Sequence, residues 1–238
     1  MSPVQPRVYT VILEWLEEKL RSGDISIGDK LPAERQLAED FGISRASVRE
    51  AIRVLDAMGL VRSGTGSGPN AGALVISEPS SALAWALRMH VATRSLPVKD
   101  IVHTRVLLES QAALEAAHGP ETPERAHTLA EARQLLDLMD DPDLPSDTFH
   151  EHDAHFHILL TSLAGNIVVE TIMDSLRQAT IGYVAEMVAH LPSWADTRDQ
   201  LQIQHRDILA AVEDRDGERA SEALRHHIEW FYSLRREL

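Results

Sequence analysis

Leu31 to Val61 reads LPAERQLAEDFGISRASVREAIRVLDAMGLV, two short amphipathic helices around a tight turn, and this run decides the fold of the first part of the chain. Pro32 suits the first turn of a helix, and Glu34 follows with negative charge at the positive end of the helix dipole. Leu37, Ala38 and Phe41 supply the apolar side. Gly42 ends this helix, because glycine adopts the left-handed conformation beyond a helix C-terminus without strain. Ser44 is the next N-cap, with Ser47 and Val48 already inside the second helix. Val48, Ile52 and Leu55 share one stripe, while Arg45, Arg49 and Arg53 recur at every fourth residue on a neighbouring one. A short helix with such a guanidinium edge, placed right after a glycine turn, suits insertion into a DNA major groove. Over this stretch alone, a solvated basic face would look the same.

The flanking sequence separates the two readings. Gly59-Leu60-Val61-Arg62 leads into SGTGSGPNAGALVI, a glycine-rich turn that ends in an apolar run suited to a second strand. A helix-turn-helix followed at once by a β-hairpin is a winged helix. On the Leu31–Val61 run and the Gly64-Thr65-Gly66 wing, the chain resembles the GntR family of bacterial transcription regulators. Upstream, Val4 to Ser22 reads as a helix with Val8, Ile12, Trp15, Leu16 and Leu20 along one side, stopped by Gly23. The resemblance implies that this helix packs behind the reading pair, and Ile25 to Lys30 is a short connection. Arg35 is placed for a phosphate, and Arg45 and Arg49 for base edges; the resemblance points to the same positions. With Ser44, Ser47, Thr65 and Gly66 they are the candidate DNA contacts. Gly66 fits where backbone approaches a minor groove, but Thr65 leaves the wing tip without a basic residue, so the wing adds little affinity. Arg53 lies deeper along its helix, in reach of Glu50 or Asp56.

The 238-residue chain carries a net charge of −14, which at first argues against nucleic acid. Divided after Ser77, the first part holds 9 Lys+Arg against 10 Asp+Glu and the second 14 against 27. The acidity therefore belongs to the second part, and local arrangement decides DNA contact. All 12 histidines also follow residue 77. There is no cysteine, so any metal would sit on nitrogen and oxygen ligands. The N-terminus carries no signal-peptide pattern and no run reaches membrane-span length, so the chain is expected to be cytoplasmic and without a membrane partner.

The expected organisation is a winged helix-turn-helix over residues 1–76, a linker over 77–82, and an all-α domain over 83–238. Glu78, Pro79 and the two serines that follow mark the linker. Beyond it, breaks at Pro97, Gly119-Pro120, DDPDLPSD, Gly165-Asn166, Leu191-Pro192 and Asp216-Gly217 separate six or seven helices. The fold class is thus mainly α, with a small β-hairpin wing and a C-terminal helical bundle. From about residue 80 to 236 the chain resembles the FCD ligand-sensing domain of the FadR-like branch of the GntR family.

Polar residues interrupt the apolar stripes of this second part. Ile101, Arg105, Leu108 and Ala112 share a face, as do Phe149, Asp153, Phe156, His157 and Leu160. Leu201, His205, Ile208 and Val212 line up in a third helix, and Leu224, His227, Ile228 and Phe231 in the last. Burying such groups is costly unless each finds a partner. Asp153 and His157 lie one turn apart and can reach one ion from a single helix face, with His205 and His227 arriving from two others. A carboxylate and three imidazoles suit zinc, with nickel or another divalent first-row metal as alternatives. Any one of these histidines alone would read as a hydrogen-bonded core residue; four on inward stripes read together as a site. His155 and His226 lie off the stripes, and His150, His152, His103, His118 and His190 read as surface or structural.

The resemblance implies the same metal set, and a small organic acid held at the metal with Arg105 forming a bidentate pair to its carboxylate. Glu109, one turn on, is placed to steady Arg105. The function expected is a homodimeric repressor that binds a pseudo-palindromic duplex operator and is released by a small carboxylate. The rival is a metal-dependent helical-bundle enzyme acting on a small organic acid. Glu115–His118 and Glu124–His127 have the Glu-x-x-His spacing of di-iron bundles, but Gly119, Pro120 and Pro123 lie between them. They cannot sit midway along two facing helices, and no general base or nucleophile is marked beside the four-ligand set. The enzyme reading is set aside.

Overall fold

The computed structural model describes residues 10–64 and 72–234. The chain divides into two compact units between Leu83 and Ala84. The first contains α1 (Thr10–Ser22), α2 (Glu34–Phe41), α3 (Arg45–Ala57) and the antiparallel strands β1 (Val61–Gly64) and β2 (Gly72–Val75), paired in the register Val61↔Val75. Val8 and the expected start of α1 at Val4, together with Thr65 and Gly66 of the wing, lie outside the described residues.

Gly42 has φ 63°, and its N–H turns back to the Ala38 and Glu39 carbonyls, closing α2. Ser44 then accepts from the Ser47 N–H at 3.1 Å and opens α3. The apolar stripe of α3 meets α1 and the hairpin in one core of Ile12, Leu16, Leu37, Val48, Leu55, Val61 and Val75. The connection after α1 contributes more than a link. Leu31 N–H donates to the Ala73 carbonyl at 2.8 Å and Val75 N–H to the Asp29 carbonyl at 2.8 Å, which gives β2 a partner on its other edge. Gly59 sits at φ 69°, where a Cβ would lie 2.2 Å from the Glu78 carbonyl oxygen, so only glycine permits the crossing that follows α3.

Residues 79–82 of the expected linker are helical. Pro79, Ser80 and Ser81 form the first turn of α4 (Pro79–Ala92). Proline at the first helical position lacks an N–H that would have no helical acceptor anyway, so the residue that marked a break begins a helix instead.

The second unit is all helix among its described residues: the rest of α4, then α5 (Val98–His118), α6 (Pro123–Met139), α7 (Ser146–Ser162), α8 (Ile167–Val188), α9 (Trp194–Glu213) and α10 (Gly217–Ser233). Each expected break falls between two of them. Thr122, Asn166, Ser193 and Asp216 cap the starts of α6, α8, α9 and α10 with side-chain oxygens. The long α5 packs against α7, α8, α9 and α10, so the inward faces of these helices converge on it. Arg125 is buried and spans two helices, donating to the Ala116 carbonyl of α5 and the Val212 carbonyl of α9. No described helix is long and apolar enough to cross a membrane.

Candidate functional site

Asp153 and His157 on α7, His205 on α9 and His227 on α10 each present a ligand atom, and the four atoms lie within 4.8 Å of one another. The three histidines are buried. His157 Nδ1 lies 2.8 Å from Glu109 Oε2, and His227 Nδ1 lies 2.9 Å from Gln204 Oε1. Both acceptors demand the proton on Nδ1, which leaves the two Nε2 lone pairs facing each other at 3.2 Å. His205 Nε2 lies 3.0 Å from Asp153 Oδ1 without the alignment of a hydrogen bond, and both of its ring nitrogens are buried without a hydrogen-bond partner. Facing lone pairs and orphaned nitrogens beside a carboxylate are unfavourable in a dry core. A cation among them removes the conflict, so the donor set fits zinc or nickel on nitrogen and oxygen.

The surrounding electrostatics hold Asp153, His157 and His227 in ligating form. Burial alone would raise Asp153, but His205, His157 and Arg177 keep its carboxyl well below the usual carboxylate range. Burial, reinforced by Arg177, pushes His157 down to about 4 against the pull of Glu109. Burial and the two neighbouring imidazoles also hold His227 well below the usual histidine range. Metal binding needs an ionised carboxylate and neutral imidazoles, and the surroundings of Asp153, His157 and His227 favour those forms.

Glu109 ties the cluster to two guanidiniums. It accepts from Arg105 Nε at 2.8 Å, as its position one turn away suggested, and from Arg177 Nη2 at 2.8 Å. Burial opposes charge on Glu109, but Arg105, Arg177 and His157 hold it ionised. Arg105 Nη1 also donates to the Tyr232 hydroxyl at 2.8 Å. Its Nε and one Nη1 hydrogen are therefore engaged, which leaves the Nη edge for any added anion. Arg177 is a residue that reading the sequence missed. It lies 3.4 Å from Asp153 Oδ2, and its Nε is buried without a partner. The signal was the one that exposed Arg105: a charged residue on a stripe shared by Met173, Thr180 and Val184.

Arg105, Arg177, Asp153 and His227 line one end of a cavity of about 490 Å³. His150 lines it too, with a buried Nε2 that lacks a partner, and so belongs to the site and not to the surface set. One turn of α7 separates it from Asp153. His155 and His226 are exposed, as are Glu115, His118, Glu124 and His127 of the two Glu-x-x-His pairs. Those pairs form no interior carboxylate–imidazole site.

In the first unit Arg35, Arg45 and Arg49 are all exposed. Arg35 pairs with Glu39 at 3.0 Å and Arg49 with Glu34 at 2.7 Å, exchangeable surface contacts of the kind that contribute little stability. Arg45 has no ion pair among the described residues. The Ser44 and Ser47 hydroxyls lie 3.0 Å apart at the start of α3, so Ser44 serves first as a cap. Arg53 approaches Glu50 at 3.7 Å.

Comparison with known proteins places both units. Residues 8–69 match the model of bacterial regulatory proteins of the gntR family, and residues 100–229 match the FCD domain. The Uxu operon regulator of Haemophilus influenzae is 28% identical over 233 residues, spanning 96% of this chain and 82% of that one. The Glc operon transcriptional activator of Escherichia coli is 26% identical over 220 residues, spanning 92% and 85%. LutR, an HTH-type transcriptional regulator of Bacillus subtilis, is 28% identical over 210 residues, spanning 88% and 92%. The structure of Streptococcus agalactiae GntR superposes with a TM-score of 0.62 at 23% identity, covering 97% of this chain and 98% of that one.

Proposed function

The chain belongs to the GntR family of bacterial regulatory proteins and carries an FCD domain as its second part, and on that premise we propose that it is a transcription regulator whose hold on a DNA operator is set by a small carboxylate bound beside a divalent metal. The observation that carries the proposal is the pair of Nε2 lone pairs of His157 and His227, converging next to Asp153 and two buried guanidiniums at the end of a cavity. Asp153, His157, His205 and His227 would hold the metal, which supplies a positive point that polarises and anchors an anionic oxygen.

Charge supports an anionic ligand. The buried cations Arg105 and Arg177 are already balanced by the carboxylates of Glu109 and Asp153. A divalent ion adds two positive charges that no further side chain of the cluster offsets, and a bound carboxylate offsets one of them. The Nη edge of Arg105 faces the same cavity and would take the other carboxylate oxygen.

For the DNA module we place Arg45 and Arg49 against base edges and Arg35 against a phosphate, with Ser44 and Ser47 at the mouth of the recognition helix α3. Thr65 and Gly66 complete the wing side of the interface. A homodimer would present two such helices about one DNA turn apart to a pseudo-palindrome. Apolar surface supports self-association: Trp85 and Met89 of α4 are exposed, as are Ile167 and Val168 of α8, on helices that both contribute to the apolar cluster around Ile101, Met173 and Leu176. Whether the regulator represses or activates depends on where its operator lies relative to the promoter, not on this chemistry.

Electrophoretic mobility shift with operator fragments selected by the purified protein tests the DNA assignment. Arg45→Ala and Arg49→Ala should each abolish the specific shift while leaving helical content and metal content at wild-type level. Unchanged binding by both would remove the arginines from the interface.

A further inference from the structure

We infer that the ligand of the cavity is a monocarboxylate with an extended apolar body, its carboxylate at the Arg105–Arg177 end and its tail running along α8 towards Val188. The inference rests on the reading of that end as a carboxylate site, and adds the class of acid.

The cavity has a polar end and an apolar length. Its α8 wall is a single helix face: Arg177, Thr180, Ile181, Val184, Ala185 and Val188 recur at three- and four-residue spacings. From Arg177 to Val188 the helix rises about 16 Å. Charge occupies the first position only; from Ile181 onward the face is apolar. Leu201 of α9 and Ile228 and Phe231 of α10 make the opposite wall apolar as well. The Thr180 hydroxyl already donates to the Leu176 and Arg177 carbonyls at 3.1 Å.

Three classes of acid can be compared on these walls. A two- or three-carbon hydroxy acid would occupy the charged end and leave most of a 490 Å³ cavity unfilled, a volume in the range that takes far larger ligands. A sugar acid would bring a row of hydroxyls against Ile181, Val184, Val188, Leu201 and Phe231, and only those turned to the α7 wall of Ser146, Asp147, His150 and Glu151 would find polar partners. Each further hydroxyl stripped of water without a partner weakens binding about tenfold. An extended diacid would place its second carboxylate at the far end. There α7, joined to α8 by a short turn and running beside it in the opposite direction, sets the exposed carboxylates of Asp147 and Glu151 at the rim. Like charge disfavours that arrangement. An acid with one charged end and an apolar tail matches the α8, α9 and α10 walls along the tail, with the α7 carboxylates left at the rim.

Isothermal titration calorimetry on the full-length, zinc-loaded protein decides this. The probes are acetate, butanoate, hexanoate and octanoate, compared with glycolate, D-galacturonate and suberate. The dissociation constant should fall about fourfold for each methylene that enters the cavity, with galacturonate and suberate binding no more tightly than acetate. Ala185→Asp, at an exposed position on the tail wall, should erase the gain with chain length and leave acetate affinity unchanged. Ile181→Ser offers the same comparison should the aspartate disturb the helix. Tightest binding by galacturonate or suberate, or acetate binding with no gain along the series, overturns the apolar-tail inference and leaves the carboxylate site standing. Zinc binding with no heat from any carboxylate overturns both.

Discussion

His157 Nε2 and His227 Nε2 face each other at 3.2 Å, and each imidazole is committed on its other side to an acceptor, Glu109 for His157 and Gln204 for His227. The outer partners thus set which nitrogen of each ring is free, and the free nitrogens share one small volume with Asp153. Outer-shell acceptors that orient imidazoles in this way are a general device of metal centres. The same Glu109 that orients His157 also anchors Arg105 and Arg177. The imidazole cluster proposed to hold a cation and the guanidinium pair therefore share one carboxylate.

Arg177→Met is expected to disturb both. It removes one of the cations held against buried Glu109 and leaves Asp153 without its guanidinium neighbour. Removing one partner from a buried ionic cluster costs about 3 kcal/mol, so the urea midpoint of the helical unit should drop clearly. Acetate affinity should drop as well, about tenfold or more. Unchanged stability and unchanged acetate binding would mean that Arg177 is a bystander.

Acidification should weaken the metal-free protein well above the carboxylate range. His157 takes up its proton near 4 in the folded protein, because burial and Arg177 disfavour the charged ring, but near its ordinary 6.5 when unfolded. Between those values the unfolded chain binds more protons, so stability is full above about 6.5 and falls as pH drops through that window. His227 shifts in the same direction, and Glu109 and Asp153 add losses at lower pH. The effect for His157 alone is on the order of 3 kcal/mol. Thermal melts of protein stripped with a chelator, from pH 7.5 to 5.0, should show a falling Tm, and a flat or rising Tm would contradict the buried neutral imidazole.

Gly59→Ala tests the crossing between α3 and the hairpin. The substitution places a Cβ at φ 69° and 2.2 Å from a backbone oxygen of Glu78. Backbone must move to relieve that contact, at a cost of about 2–4 kcal/mol. Hydrogen exchange should quicken across α1, α2 and α3 and operator binding should weaken, with zinc content unchanged. Wild-type protection in those helices would show that the turn relaxes to admit a Cβ without cost.

Much of this arrangement was legible before any coordinates. The turn at Gly42, the cap at Ser44 and the apolar stripe of α3 are local features, and local features are written in adjacent residues. The inward placement of Asp153, His157, His205, His227 and Arg105 was legible for the same reason, since a polar residue on an apolar helical stripe stands out at a spacing of three or four. Arg177 carries that signal too, but its helix is apolar over so much of its circumference that no single stripe stands out. His150 lay hidden because its partner walls come from α9 and α10, remote in sequence. Pro79 misled because proline that breaks a helix and proline that opens one look alike without knowledge of the next turn.

Metal content tests the central claim most directly. After zinc loading and exhaustive dialysis, emission spectrometry should find one zinc per chain in the wild-type protein and essentially none in the double variant Asp153→Ala, His157→Ala, which should remain helical. Full zinc occupancy in that folded double variant would contradict the site.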